Sequence, residues 1–190
     1  MMSLKEQNTA LILINLQKGF DEEEYWGGNR NNKDAEQKAS IILNKWRTLN
    51  LPIFHVVHSS QNPNSKVHES HPGFEIKDEV KPINSEPVIK KHAYSAFIGT
   101  DLKERLDKQG IKMVVIIGMT TNYCVSTSTR MAGDLGLETW LISDATAAFD
   151  TIGIHGEKFS SDIIHQTTLA NLNNEFAQVI DTKELLELVS

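Results

Sequence analysis

Cys124, the only cysteine in the chain, and Lys91 are the residues whose types could do covalent chemistry. A thiol attacks as its thiolate, and a nearby ammonium favours that form. Cys124 lies near the end of the run Val114-Val115-Ile116-Ile117-Gly118-Met119-Thr120-Thr121-Asn122-Tyr123-Cys124-Val125. The apolar part, bounded by Gly118, predicts a buried parallel strand followed by a tight turn. A helix is expected over residues 124–135, with Val125, Met131, Ala132 and Leu135 as its apolar positions. A cysteine in the first turn of a helix feels the positive end of the dipole, which favours the thiolate. The same position suits a small core residue, because unpaired cysteine is among the most buried types. Position alone does not choose between the two.

The elements that must hold these residues alternate along the chain. Strands are predicted over residues 10–14, 53–57, 87–90, 114–117, 137–142 and 176–180. Helices are predicted over 34–49, 101–108, 124–135, 157–172 and 183–188, with Thr100 and Asp181 as N-caps. Residues 59–85, with three prolines and little periodicity, read as a long functional loop or lid. Gly133-Asp134-Leu135-Gly136 reads as a helix stop. Repeated strand–helix units with strongly apolar strands imply an α/β fold, a parallel sheet covered by helices on both faces. In such sheets ligands sit outside the carboxyl ends of the strands. Those ends carry Asn15, His58, Lys91, Thr120 to Cys124, and Asp144.

Bulk properties narrow the classes. At 190 residues the chain suits one domain spanning 1–190. The formal charge of −6 argues against a nucleic-acid partner, which calls for a basic face. No apolar run has membrane-spanning length, and residues 1–9 lack the apolar core of a signal peptide. With a single cysteine there is no internal disulfide, so a cytoplasmic protein is expected.

Three motifs in the right order resemble the isochorismatase-like cysteine hydrolases, a family that includes nicotinamidases, N-carbamoylsarcosine amidases and isochorismatases. They are Leu11-Ile12-Leu13-Ile14-Asn15-Leu16-Gln17-Lys18-Gly19-Phe20, Lys91-His92-Ala93-Tyr94-Ser95-Ala96-Phe97, and Gly118 to Val125; Ser143-Asp144-Ala145-Thr146 also fits. The resemblance implies a three-layer αβα sandwich with a six-stranded, mainly parallel sheet. It further implies Cys124 as nucleophile, Lys91 as the cation beside it, and a cis peptide between Met119 and Thr120. That bond would aim the Thr120 backbone N–H, with that of Cys124, at a developing oxyanion. Phe20 and Phe97 match family positions near the substrate; His58, Asn122 and Tyr123 are the other candidate substrate contacts. A homo-oligomer, dimer or tetramer, is expected, with no cofactor.

One position departs from the family pattern. Asn15 stands where the family has an aspartate acting as general base, and an amide cannot accept a proton at neutral pH. Three readings follow: Lys91 itself is neutral and moves the proton, Asp144 acts through water, or hydrolysis is lost and a binding pocket remains. Nicotinamidases hold a metal through an aspartate and histidines in the region of His55, His58, His68 and His71. Here no aspartate lies between Pro52 and Lys77, and no metal is expected. Trp26 and Tyr94 are further aromatics near the expected pocket, and Asn29, Arg30 and Asn31 either reach a substrate carboxylate or form a surface turn. The leading expectation is a hydrolase acting on a small amide-like C–N substrate through a Cys124 thioester, with vinyl-ether hydrolysis of the isochorismatase type left open. The alternatives are a small-molecule-binding or regulatory protein and a redox-sensing thiol; for the last there is no second cysteine to resolve a sulfenic acid.

Overall fold

The computed structural model describes residues 7–83 and 85–189; residues 1–6, part of the stretch read for a signal peptide, lie outside them. In chain order the elements are β1 (Ala10–Ile14), α1 (Glu23–Trp26), α2 (Ala35–Leu49), β2 (Ile53–His58), β3 (Val88–Lys91), α3 (Leu102–Lys108), β4 (Met113–Met119), a π-helical turn (Thr121–Val125), α4 (Ser126–Asp134), β5 (Glu138–Ala147), β6 (Thr151–Ile152), β7 (Lys158–Phe159), α5 (Ser161–Leu172), β8 (Gln178–Ile180) and α6 (Thr182–Leu188). Six of the strands form one sheet in the order β3-β2-β1-β4-β5-β8, and every pairing in it is parallel.

The central strands are apolar throughout because both faces are covered. Along β1, Leu11 and Leu13 pack with Ala39, Ile42, Leu43 and Trp46 of α2, whereas Ala10, Ile12 and Ile14 pack with Leu102 and Leu106 of α3 and Leu169 of α5. Successive strand side chains point to opposite faces, so each strand feeds both layers of the sandwich. The expected three-layer α/β architecture is what the chain adopts. Among the described residues no helix is long and apolar enough to cross a membrane.

Several predicted boundaries move. The helix expected over 124–135 is preceded by the π-helical turn, so the chain begins to coil at Thr121 and Cys124 sits inside that turn. The helix expected from residue 157 instead starts at Ser161, capped by the Ser160 hydroxyl, which accepts from the Ile163 N–H. Residues 158–159 are extended because they pair antiparallel with Thr151–Ile152 in a small hairpin. β5 continues past Ile142 to Ala147: after a register shift its far end pairs again with β4, Gly118 with Thr146 and Met119 with Ala147. In α3 the cap position is Asp101, and the Thr100 hydroxyl donates to the Ala96 carbonyl at 2.6 Å.

β1 and β4 lie at the centre, and the crossover direction changes between them, which opens a crevice at their carboxyl ends. Gly118 makes their approach possible. Its φ is +129°, and a Cβ there would fall 1.9 Å from the Ile14 carbonyl oxygen. Only glycine satisfies both conditions. Gly118→Ala should therefore cost about 3 kcal/mol and disturb the neighbouring Asn15 and Thr120. Urea unfolding checks this, and a variant as stable as the parent would contradict it.

Candidate active site

β1, β2, β3 and β4 deliver four polar side chains to one end of the sheet. Asn15 follows β1 with φ +52°, a left-handed conformation that asparagine tolerates better than most residues. Its own N–H donates to the Val56 carbonyl at 2.8 Å, and its side-chain Nδ2 donates to the Met119 carbonyl at 3.0 Å. His58 and Lys91 end β2 and β3 as register partners. The Lys91 side chain is fully buried. Its Nζ donates to the Ala93 carbonyl at 2.9 Å and to Cys124 Sγ at 3.2 Å, and lies 3.4 Å from His58 Nδ1.

Burial sets the protonation of this group. It penalises the Lys91 ammonium and holds the side chain below the usual lysine range, against the pull of Cys124. Burial, helped by the positive charge of Lys91 and by His92, pushes His58 down to about 4. At neutral pH His58 is an uncharged imidazole.

The thiol is carried by the π-helical turn, which is held from three sides. The Tyr123 and Val125 N–H groups donate to the Thr120 carbonyl, each at 3.2 Å. The Ser128 hydroxyl donates to the Cys124 carbonyl at 2.6 Å while accepting from the Ala96 N–H at 2.9 Å, tying the turn to the segment after Lys91. Beneath it, Thr121 Oγ1 meets His165 Nδ1 at 2.8 Å, and Asn32 Nδ2 lies 3.4 Å from His165 Nε2 while donating to the Ser143 and Thr146 carbonyls. The Met119–Thr120 peptide is cis.

Above the turn lies a cavity of about 550 Å³, with Asn15, Phe20, His58, Thr120, Asn122, Tyr123 and Cys124 in its wall. Phe20 stacks on Trp26 at 4.7 Å and lies 6.4 Å from the Phe149 ring, forming one aromatic wall. Tyr94 also lines the cavity, its ring 6.5 Å from His58 and 6.2 Å from Tyr123. Lys91 lies behind the wall, reaching it through Sγ.

Other sequence-derived candidates fall elsewhere. Phe97 does not line the cavity; it is buried in the core with Phe54, Ala96 and Leu102, because the chain after Lys91 turns back onto α3. Asp144 lies within β5, not after it. Its carboxylate accepts from the Thr182 N–H at 2.8 Å and hydroxyl at 2.7 Å and sits 3.7 Å from Lys38, so it serves the α2 and α6 side. Arg30 forms a buried bidentate pair with Glu36, and Asn31 accepts from the Ala148 N–H, so this stretch is neither a surface turn nor a substrate clamp. The histidines diverge: His55 meets Glu86 at 2.8 Å, His68 bonds Ser70, and His71 accepts from the Gly73 N–H. Among the described residues no three metal-ligating side chains converge, so the nicotinamidase metal has no matching donor set here.

Sequence reasoning missed Ser128, His165, Asn32 and Gln17. Gln17 is fully buried; its amide donates to the His58 and Phe74 carbonyls and accepts from the His58 N–H, clamping the long loop to the site. Gln17 lies inside the first motif, so its presence there was a readable signal. Ser128 bonds Cys124 four residues back as well as the distant Ala96, whereas His165 and Asn32 act through contacts far apart in sequence.

Comparison with known proteins adds four findings. The isochorismatase domain family matches residues 9–184. An uncharacterized isochorismatase family protein of Bacillus subtilis, YrdC, is 44% identical over 181 residues, 95% of this chain and 96% of the relative. A solved isochorismatase-family structure from Chromobacterium violaceum has a TM-score of 0.91 at 38% identity, covering 95% of this chain and 93% of that one. Over a shorter stretch of 98 residues, 52% of this chain and 44% of the relative, nicotinamidase 3 of Arabidopsis thaliana is 37% identical.

Substitution at Lys91 and titration of His58 test this buried group. Lys91→Met removes a buried ammonium that has no carboxylate partner, so thermal stability should be unchanged or higher. Alkylation of Cys124 by iodoacetamide at neutral pH should slow by at least about tenfold. A variant labelled as fast as the parent would show that Lys91 does not activate the thiol. His58 should titrate near pH 4 by NMR, and the stability linked to it, present above its unperturbed value of 6.5, should be lost as pH falls toward about 4. A His58 midpoint near 6.5 would contradict the desolvated placement.

Proposed function

Since this chain belongs to the isochorismatase family, whose members are hydrolases, we propose that it is a cysteine hydrolase opening a C–N bond of a small amide-like substrate. The observation that carries this reading is the 3.2 Å contact between Lys91 Nζ and Cys124 Sγ, buried beneath a cavity large enough for a small molecule. The relative named nicotinamidase supports an amide as the bond attacked.

In this reading the Cys124 thiol gives its proton to Lys91, whose burial favours exchange between neutral and charged forms. Sγ adds to the carbonyl carbon, and the electron pair of the C=O bond moves onto oxygen. The backbone N–H groups of Thr120 and Cys124 are assigned to that oxyanion; donors so placed are worth roughly 3–4 kcal/mol each in acyl transfer. Collapse expels the amine, which leaves with the proton held at Nζ, and a thioester to Sγ remains. Water then adds to the thioester, the carboxylic acid departs, and the thiol regains its proton.

Asn15 takes no proton in this scheme. With Asp144 on the far side of β5, Lys91 carries the proton, and the neutral His58 imidazole beside it offers a lone pair. General-base assistance is worth roughly 10²–10⁴-fold, so a chain lacking the carboxylate works below its ceiling.

A panel of small amides and ureides, followed by ammonia release and by intact-protein mass, tests the reading. Turnover should be lost in Cys124→Ala, and an acyl adduct should appear on Cys124 of the parent. Asn15→Asp should raise turnover by about 10- to 10³-fold on a substrate the parent handles slowly. Turnover that survives Cys124→Ala would refute the proposal, as would an adduct on any other residue.

A further inference from the structure

Lys91 is fully buried and is not part of the cavity wall, whereas His58 is. A proton stored at Nζ must nevertheless reach an amine that departs from inside the cavity. Resting on the hydrolase reading above, we infer that His58 is a further catalytic residue. Its ring passes protons between Lys91 Nζ and the cavity, outward to the leaving nitrogen and inward from the attacking water.

The fold places the ring for this task. His58 closes β2 as the register partner of Lys91, so the two side chains leave the same face of neighbouring strands. Gln17 fixes the His58 backbone: its amide accepts from the His58 N–H at 2.9 Å and donates to the His58 carbonyl at 3.1 Å. Nδ1 lies 3.4 Å from Lys91 Nζ. That is long for a hydrogen bond, but catalytic contacts of an empty site commonly tighten when substrate binds. Among the described residues no protein group pairs with Nε2 on the other edge of the ring, yet it is not a buried unpaired atom, so this nitrogen is open to the cavity.

The partners of Lys91 assign the ring's hydrogen. An ammonium has three hydrogens; the Ala93 carbonyl and Sγ accept two, and Nδ1 is the remaining partner. Nδ1 therefore carries the lone pair, and the one hydrogen of the neutral ring sits on Nε2. In this tautomer the imidazole takes a proton at one nitrogen while releasing another, without ever becoming an imidazolium. Among the described residues the titratable side chains in contact with Lys91 are Cys124 and His58. Once Sγ carries the acyl group, His58 is the one left. Asp150, also in the wall, is engaged by the Ser161 N–H at 2.7 Å and Lys158 at 2.8 Å.

The protons balance over one turnover. The thiol gives its proton to Nζ, and Sγ adds to the carbonyl carbon. As the C–N bond breaks, Nζ gives a proton to Nδ1 and Nε2 gives its own to the departing nitrogen. A thioester, a neutral Lys91 and a ring protonated at Nδ1 remain. Water then adds to the thioester carbonyl while Nε2 takes its proton and Nδ1 returns one to Nζ. The C–S bond breaks, the carboxylic acid departs, and the thiolate recovers its proton from Nζ.

His58→Gln tests the relay, because glutamine keeps an acceptor for Lys91 but cannot pass a proton. 4-Nitrophenyl benzoate supplies a leaving group that departs as an anion and needs no proton. Single-turnover release of nitrophenolate by excess enzyme measures acylation, and decay of the benzoyl-enzyme by intact mass measures deacylation. In His58→Gln, release should stay within about threefold of the parent, while decay should slow by about 10²-fold or more. With benzamide both steps need the relay, so kcat should fall by about 10²-fold or more with KM little changed. A urea melt confirms that the variant is folded.

Decay as fast as in the parent overturns the inference, as do equal losses in release and decay. The hydrolase reading fails separately. If the ester behaves as expected but the parent opens no amide, the C–N reading fails and the relay stands. If the parent releases no nitrophenolate and hydrolyses no benzamide, both fail.

Discussion

A lysine ammonium buried without a carboxylate is the constraint around which the site is arranged. Among the described residues three lysine or arginine side chains are buried, Arg30, Lys77 and Lys91. Arg30 and Lys77 both bond Glu36, whose carboxyl is pushed up by burial but held below the usual range by those two cations. Lys91 has only a carbonyl, an imidazole nitrogen and a sulfur within reach. A buried cation without an anion is costly, and the group able to become one here is the Cys124 thiol. Cys124 is accordingly the group that pulls Lys91 back toward the charged form against its burial.

That arrangement needs parallel strands whose ends lie side by side. Lys91 and His58 are register partners, β2 pairs with β1, and β1 pairs with β4, so the four functional segments leave one edge in sequence-independent order. Gly118 lets β4 pass close to Ile14, and the bulge opposite it allows β5 to resume pairing beyond the shift. Rigidity comes from outside the site. The Arg47–Glu86–His55 group holds β2 to the long loop, with Glu86 at about 2 despite its burial because Arg47 and His55 both donate to it. Satisfied ion groups thus hold the scaffold, while two wall side chains of the site keep unpaired acceptor oxygens.

Much of this was legible in the sequence because the signals were local. Apolar strands such as residues 10–14 announced burial on both faces, and the polar residues that follow them fell at the strand ends as expected. Legibility ended where tertiary contacts decide. Phe97 sits in a motif near the site, yet apolar residues near a cleft and apolar residues of the core look alike in sequence. Asp144 was assigned to a strand end because periodicity stops at Ile142, whereas hydrogen bonds with Gly118 and Met119 carry β5 five residues further. His165 and Asn32, which hold the π-helical turn from below, lie 44 and 89 residues from Thr121 and announce themselves only through the fold.

Asn15 bears directly on the proposed hydrolase reading, because it puts an amide where the family has a proton acceptor. With aspartate at position 15, a second anion would border the group, and Lys91 would have to serve a carboxylate and a thiolate together. Asparagine keeps the hydrogen bond to Met119 and leaves the thiolate as the one counter-charge of Lys91. On the proposed hydrolase reading the proton step then falls to Lys91, whose burial holds it below the usual lysine range.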